Sequence, residues 1–239
     1  MKLCDLHTHV LPGADDGAPT MEYALQMLQN AVASDVELLA VTPHCNPRYG
    51  NYLDTNLLNR FSALQQAARD IPVQLVPGAE VRVNEDLPNQ LANGNLPTLN
   101  GSRYLLTEFP TDTPAEVFPE VLSNILDHGL IPLVAHPERY LAVEQAPQMV
   151  FQWLDMGCHI QLTGGSITGE YGKTIYRTAS FLLQNDLVAC IASDAHGTNR
   201  RSNFLLDAYD HLCVRYCRQY AACLLYENPM RICYDEKIG

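Results

Sequence analysis

Seven short apolar runs in this 239-residue chain each stop at a turn, and six of those turns carry a residue type that binds metal ions. Leu3–Leu6 leads into Asp5-Leu6-His7-Thr8-His9, and Val36–Val41 into Thr42-Pro43-His44. Ile71–Val76 leads into Pro77-Gly78-Ala79-Glu80, and Tyr104–Thr107 into Glu108-Phe109-Pro110. Leu130–Val134 ends in His136-Pro137-Glu138-Arg139, and Leu187–Ile191 in Ser193-Asp194-Ala195-His196. The run around Ile160–Leu162 ends instead in Gly164-Gly165-Ser166. If the runs are parallel strands, their ends share one edge of the sheet, and scattered polar residues become a cluster.

Segments with helical period lie between the runs. Met21, Ala24, Leu25, Leu28 and Val32 form one stripe after a cap at Thr20, and Leu57, Leu58, Phe61, Leu64 and Ala68 form a second. Val117, Phe118, Val121, Leu122 and Ile125 form a third, after Thr113-Pro114-Ala115-Glu116, which reads as a capping box with proline at the first helical position. Two further helices are expected near Val143–Leu154 and Lys173–Leu183. Strands alternating with amphipathic helices indicate an α/β fold, and seven such units suit a closed seven-stranded (β/α)7 barrel better than a doubly wound sheet. No Pro/Gly/Ser-rich linker divides the chain, so one domain over residues 1–239 is expected, with a helical C-terminal segment at about 203–239.

A net charge of −12 argues against nucleic acid and anionic membrane surfaces as partners. No apolar stretch approaches the length of a membrane span, so no membrane insertion and a cytoplasmic location are expected. Eight cysteines with no CxxC pair read as small core residues in a reducing compartment.

His7 and His9 are alternate residues leaving a strand, so their imidazoles share a direction. A lone HxH is weak evidence for a site. Joined by His44, Glu80, Glu108, His136, Asp194 and His196, each at a strand end, it points to a metal centre. Asp15 and Asp16 follow in a glycine-bounded turn, and spacing does not choose between them. Arg139 and Arg201 stand near ligand positions, where guanidinium groups suit a phosphate or carboxylate substrate; Arg200 competes for the second role. No cysteine is followed by arginine six residues on, which excludes the cysteine-based phosphatase mechanism. His128, His159, His211, Cys213 and Cys217 read as packing residues, as do the tyrosines of the tail, against the body of the protein or a neighbouring subunit in a homo-oligomer.

The run of motifs Asp5-x-His7-x-His9, Pro43-His44, Gly78-x-Glu80, Glu108-Phe109, His136-Pro137-Glu138-Arg139-Tyr140 and Ser193-Asp194-x-His196 resembles the PHP (polymerase and histidinol phosphatase) superfamily. Within it, the chain is similar to the bacterial manganese-dependent tyrosine phosphatases of capsular and exopolysaccharide synthesis. The resemblance implies a distorted seven-stranded barrel with three divalent metal ions, manganese favoured over iron or zinc. His7, His9, Glu80 and Asp194 would hold the first ion; Glu80 would bridge to the second, shared with Glu108 and His136; Asp16, His44 and His196 would hold the third. The family pattern selects Asp16 over Asp15. Asp16 and His44 would also serve catalysis, with Arg139 and Arg201 gripping the phosphate.

The implied activity is hydrolysis of phosphotyrosine on a protein, the tyrosine-rich tail of a bacterial autokinase that controls polysaccharide export. Bound metals lower the pKa of water, which would attack phosphorus in line with the leaving phenolate. The alternatives are a small-molecule phosphomonoesterase, such as a histidinol phosphate phosphatase, and a non-catalytic kinase-binding module. The resemblance covers essentially residues 1–209, and the Cys- and Tyr-rich segment after Tyr209 is where the chain departs from it.

Overall fold

The computed structural model describes residues 1–46, 55–94, 96–199, 201–202 and 205–238. Its strands are β1 (Leu3–Asp5), β2 (Val36–Val41), β3 (His44–Cys45), β4 (Gln74–Pro77), β5 (Glu80–Arg82), β6 (Tyr104–Glu108), β7 (Ile131–Ala135), β8 (His159–Thr163) and β9 (Cys190–Ala192). Every pairing is parallel. Two sheets result, one in the order β1-β2-β4 and one in the order β3-β5-β6-β7-β8-β9.

This is a barrel-like α/β arrangement of parallel strands, but not the single closed seven-stranded sheet expected. Two of the seven runs break. After β2 the chain passes Pro43, which has no N–H for a ladder, and resumes as β3; after Pro77 and Gly78 it resumes as β5. The resumed segments pair with each other, His44 opposite Glu80, at the edge of the larger sheet. The first and last runs are joined beyond their ends by a parallel bridge between Thr8 and Ala195, with His9 N–H donating to the Ala195 carbonyl at 2.9 Å.

Alternation along the strands sorts the interior into two apolar clusters. Leu39, Val41, Leu105, Val134, Ile160, Leu162 and Ile191 belong to the cluster shared with the helices. Cys4, Leu38, Ala40, Tyr104, Leu106, Leu133, Ala135 and Cys190 take the other parity and pack against one another. On that second face, β6 continues from Tyr104 and Leu106 to Glu108, and β8 places Gln161 between the outward Ile160 and Leu162.

The principal covering helices are α1 (Met21–Ala33), α2 (Thr55–Ala67), α3 (Leu87–Ala92) and α4 (Val117–Asp127). They are followed by α5 (Leu141–Gln145), α6 (Met149–Asp155), α7 (Gly164–Thr168) and α8 (Lys173–Gln184). Thr20 caps α1, accepting from Tyr23 N–H. The capping box before α4 does not form: Thr113 Oγ1 donates to the Pro110 carbonyl at 2.7 Å, so Glu116 stands at the cap with no side-chain bond. The expected helix near Val143–Leu154 is two, α5 and α6, separated by the segment containing Pro147. No described helix is long and apolar enough to cross a membrane.

The C-terminal segment is helical as α9 (Leu205–Arg215), α10 (Arg218–Ala222), a π-turn over Cys223–Glu227, and α11 (Asn228–Cys233); residues 203, 204 and 239 lie outside the described residues. It closes the end of the sheets where strands begin. Ile232 and Cys233 join the inner cluster, Asn228 donates to the Ala189 carbonyl at 2.8 Å, and Tyr226 donates to Glu37 at 2.9 Å. Tyr226 therefore packs on the body, as does Tyr220, which donates to the Leu183 carbonyl, whereas Tyr216 and Tyr234 are exposed.

Candidate metal centre

All nine of the sequence-predicted ligands come together at the ends of the strands. His7 and His9 follow β1, His44 opens β3, Glu80 opens β5, Glu108 ends β6, His136 follows β7, and Asp194 and His196 follow β9. Asp16 reaches the same place from the loop before α1. That loop returns tightly on His9: a Cβ at Gly17 would lie 2.0 Å from the His9 carbonyl oxygen, so only glycine fits.

The hydrogen bonds of the imidazoles decide where their protons lie. Gln161 donates its Nε2 to the Leu162 carbonyl, so its Oε1 faces His7 Nδ1 at 2.9 Å and accepts from it. His9 Nδ1 donates to Asp15 Oδ2 at 2.8 Å, and His196 Nδ1 to the Asp194 carbonyl at 3.0 Å. Each of these rings in its neutral form therefore points a bare Nε2 lone pair inward. The Nε2 atoms of His7 and His9 stand 3.2 Å apart and fully buried. Two lone pairs at that distance repel unless a cation lies between or beside them.

Carboxylates surround the same point. Asp194 Oδ1 lies 3.4 Å from His7 Nε2, His9 Nε2 and His196 Nδ1, and makes no hydrogen bond among the described residues. Glu80 spans the centre, with Oε1 at 3.3 Å from His7 Nε2 and 3.0 Å from His136 Nε2, and Oε2 at 3.4 Å from His9 Nε2 and 2.9 Å from His44 Nδ1. Asp16 Oδ1 lies 3.4 Å from His44 Nε2 and 3.6 Å from His196 Nε2. Among the described residues, four sets have donor atoms close enough for one ion: His9-Asp16-His44-His196, His7-His9-Asp194, His7-Glu80-His136 and His44-Glu80-Glu108.

The electrostatics answer to the same pull. Burial opposes charge on His7, but Glu80 and Asp194 outweigh it and hold its pKa up. Burial likewise opposes charge on His9, which Asp15, Asp194 and Glu80 raise well above the ordinary value. Burial would push the Glu80 carboxyl up, yet His7, His136 and His44 hold it well below the usual range. A pocket that draws protons this strongly also draws metal cations, which compete for the same lone pairs.

Sequence reasoning missed the groups that orient the ligands. Asp15 accepts from His9 and from the main-chain N–H groups of Gly17 and His44, both at 2.9 Å, so it positions the His9 imidazole while Asp16 faces the centre. Asp5 accepts from Ser193 N–H at 2.9 Å and ties the first strand to the last. Arg82 grips both oxygens of Glu108 at 3.0 Å. Gln161 was detectable in the alternation of His159-Ile160-Gln161-Leu162-Thr163, which turns a polar residue inward.

Arg139 Nη1 and Arg201 Nη2 both donate to Asp194 Oδ2, at 2.7 and 2.9 Å. Arg200 lies outside the described residues. His136, Asp194 and Arg201 adopt left-handed backbone conformations, with φ of 34°, 52° and 48°. Such strain, about 1–2 kcal/mol per residue, persists where surrounding contacts over-determine it, and it gathers at functional sites. The centre opens into a cavity of about 430 Å³ lined by Asp16, Asn46, Arg82, Glu108, Arg139 and Arg201, among others.

Fold and site together define a parallel α/β protein whose strand ends assemble a buried, cation-seeking centre beside two arginines. The family described as "Capsular polysaccharide synthesis, CpsB/CapC" matches residues 3–234, and the chain belongs to that family. Over 99% of its length it is 31% identical to the whole of the tyrosine-protein phosphatase CpsB of Streptococcus pneumoniae. It is 32% identical to the tyrosine-protein phosphatase YwqE of Bacillus subtilis, over 84% of this chain and 80% of that one. Among solved structures it superposes with a TM-score of 0.92, at 28% identity and covering 99% of this chain and 96% of the other, on a structure described among those of YwqE and CpsB as "unique metal-dependent tyrosine phosphatases". A lactonase from Listeria monocytogenes shares the fold, with a TM-score of 0.64 at 12% identity over 99% of this chain and 95% of that one.

Proposed function

We propose that the chain is a metal-dependent protein-tyrosine phosphatase of capsular polysaccharide synthesis, working as one PHP-type domain over residues 1–239. The observation that carries the metal centre is the pair of buried Nε2 lone pairs on His7 and His9, 3.2 Å apart and ringed by Glu80 and Asp194. Family membership carries the reaction. The two sheets and the Thr8–Ala195 bridge suit a ring of seven staves, two of them broken, as the working description of the barrel.

The donor sets suit three divalent ions. His7, His9, Glu80 and Asp194 would hold one; Glu80, Glu108 and His136 the next; Asp16, His44 and His196 the third. Mixed imidazole and carboxylate donors accept manganese, with iron and zinc as competitors. When bound, the ions neutralise phosphoryl charge and activate a water.

The chain's own residues do the remaining work. Asp194 divides its oxygens: Oδ2 fixes both arginines and Oδ1 faces the imidazoles, so the phosphate grip and the centre share one anchor. Arg139 and Arg201 line the cavity, where their guanidinium groups would bind the equatorial oxygens of the transferring phosphoryl group. Glu80 lies between the imidazole pairs and is placed to bridge. Asp16 and His44 line the cavity, where they would also serve catalysis.

A bacterial tyrosine autokinase with a tyrosine-rich tail is the proposed partner, since an extended peptide can reach an open cavity at strand ends. A cytoplasmic setting accompanies this reading, and eight free cysteines suit a reducing compartment. Hydrolysis of a phosphotyrosine peptide and of histidinol phosphate, measured side by side with manganese, tests the proposal. Strong preference for the peptide is expected; strong preference for histidinol phosphate would overturn it.

A further inference from the structure

The one strand end without a ligand has its own use. The Thr163-Gly164-Gly165 turn after β8 begins α7, and the chain leaving α7 brings Tyr171 back over Gly165. A Cβ on Gly165 would lie 2.7 Å from Tyr171 Cε2, so the absence of a side chain there admits the ring. Over the face of the ring stands Arg139, its guanidinium carbon 4.6 Å from the ring centroid. Thr163 Oγ1 accepts from Arg139 Nη2 at 2.9 Å, and Asp194 Oδ2 from Nη1 at 2.7 Å. The Tyr171 hydroxyl is buried and makes no hydrogen bond among the described residues, so the ring face is the part in use.

We infer that Tyr171 is a positioning residue for phosphoryl binding: its ring, seated on Gly165, holds Arg139 in the plane that presents its free N–H groups to the substrate phosphate. The two hydrogen bonds fix one edge of the guanidinium, and the stacked ring fixes its tilt. Restricting a guanidinium before substrate arrives removes part of the ordering cost of binding. The inference rests on the reading of Arg139 as a phosphate-contacting arginine.

The test uses the manganese-loaded enzyme and the variants Tyr171→Phe, Tyr171→Ala and Gly165→Ala. Three quantities are measured: kcat and KM on a phosphotyrosine peptide, inhibition by inorganic phosphate, and bound metal per chain. Tyr171→Ala is expected to weaken phosphate inhibition and raise KM about tenfold, with metal content unchanged. Tyr171→Phe keeps the ring and should stay within about twofold of wild type. Gly165→Ala should resemble Tyr171→Ala, and in the Tyr171→Ala background it should add little, because its effect runs through the ring.

A second readout does not depend on turnover. In the protein loaded with diamagnetic zinc, the Arg139 Nε–H nuclear resonance, assigned by its loss in Arg139→Lys, should be shifted upfield by the ring in wild type and in Tyr171→Phe, and lose that shift in Tyr171→Ala. Unchanged KM and phosphate inhibition in Tyr171→Ala would overturn the inference, as would loss of metal in parallel with activity. If the ring-current shift behaves as described while wild type hydrolyses no phosphotyrosine, the phosphatase reading fails, and with it the phosphate role of Tyr171.

Discussion

The two ends of the same strands are built in opposite ways. Where the strands begin, the inward positions are Cys4, Leu38, Tyr104 and Cys190, sealed by Ile232 and Cys233 from the tail. Where they end, the inward positions hold imidazoles and carboxylates, His7, His9, Glu80 and Asp194 among them fully buried, with left-handed backbone at His136 and Asp194. Burial of apolar surface stabilises the first end. At the second end burial costs stability, and only mutual pairing or a cation offsets that cost. One end holds the fold, and the other uses that rigidity to keep charges where water would otherwise scatter them.

Substitutions at the two ends should therefore separate activity from stability. Asp194→Ala removes the shared anchor of two arginines and a cation position, and turnover is expected to fall by about a thousandfold or more while the fold is retained; steady-state kinetics with circular dichroism checks this. Ile232→Ala, at the sealed end, should cost about 2–4 kcal/mol of stability by leaving a cavity, with kcat within about twofold of wild type below the unfolding transition. A large activity loss there with unchanged stability would erase the distinction.

A finer cut distinguishes ligands from their supports. Gln161→Leu removes the acceptor that fixes the His7 tautomer, and apparent metal affinity should drop by about 10–100-fold, with turnover restored at high manganese. Asp194→Ala should not be rescued in that way.

The smallest effects are in pH, and they have opposite signs. Burial opposes charge on His44, but Asp16 and Glu80 raise it to about 9. Its contribution to the metal-free protein is fully present below pH 6.5, the ordinary histidine value, and fades as pH rises through about 9. Burial lowers the pKa of His159, which opens β8 near the sealed end and packs against Tyr104. Its contribution is present above 6.5 and is lost as pH falls through its depressed value. Thermal unfolding against pH should thus respond at its alkaline side to His44→Gln and at its acid side to His159→Gln, and manganese should flatten the alkaline slope alone.

The sequence made the polar end easier to read than the apolar one. Every residue proposed as a ligand except Asp16 sits at the end of an apolar run, because parallel strands release their side chains at one edge. What could not be read locally was the partnership of residues far apart in the chain. Gln161 faces His7 and Arg82 grips Glu108 because of sheet register, which no short motif encodes. The break of two runs at Pro43 and Gly78 was visible as residues, but not its consequence, the re-pairing of His44 with Glu80 in another sheet. The tail was opaque for a similar reason, since its cysteines and tyrosines acquire meaning only against strand starts such as Glu37 and Ala189.

The most direct test of the centre is manganese titration into chelator-stripped protein, following bound metal and phosphotyrosine hydrolysis together. The overlapping donor sets around His7, His9, Glu80, Asp194, His44 and His136 predict no turnover without metal, saturable binding of more than one ion per chain, and activity that rises with occupancy and is absent in Asp194→Ala. Full turnover by the stripped protein, or metal binding unaffected by that substitution, would contradict it.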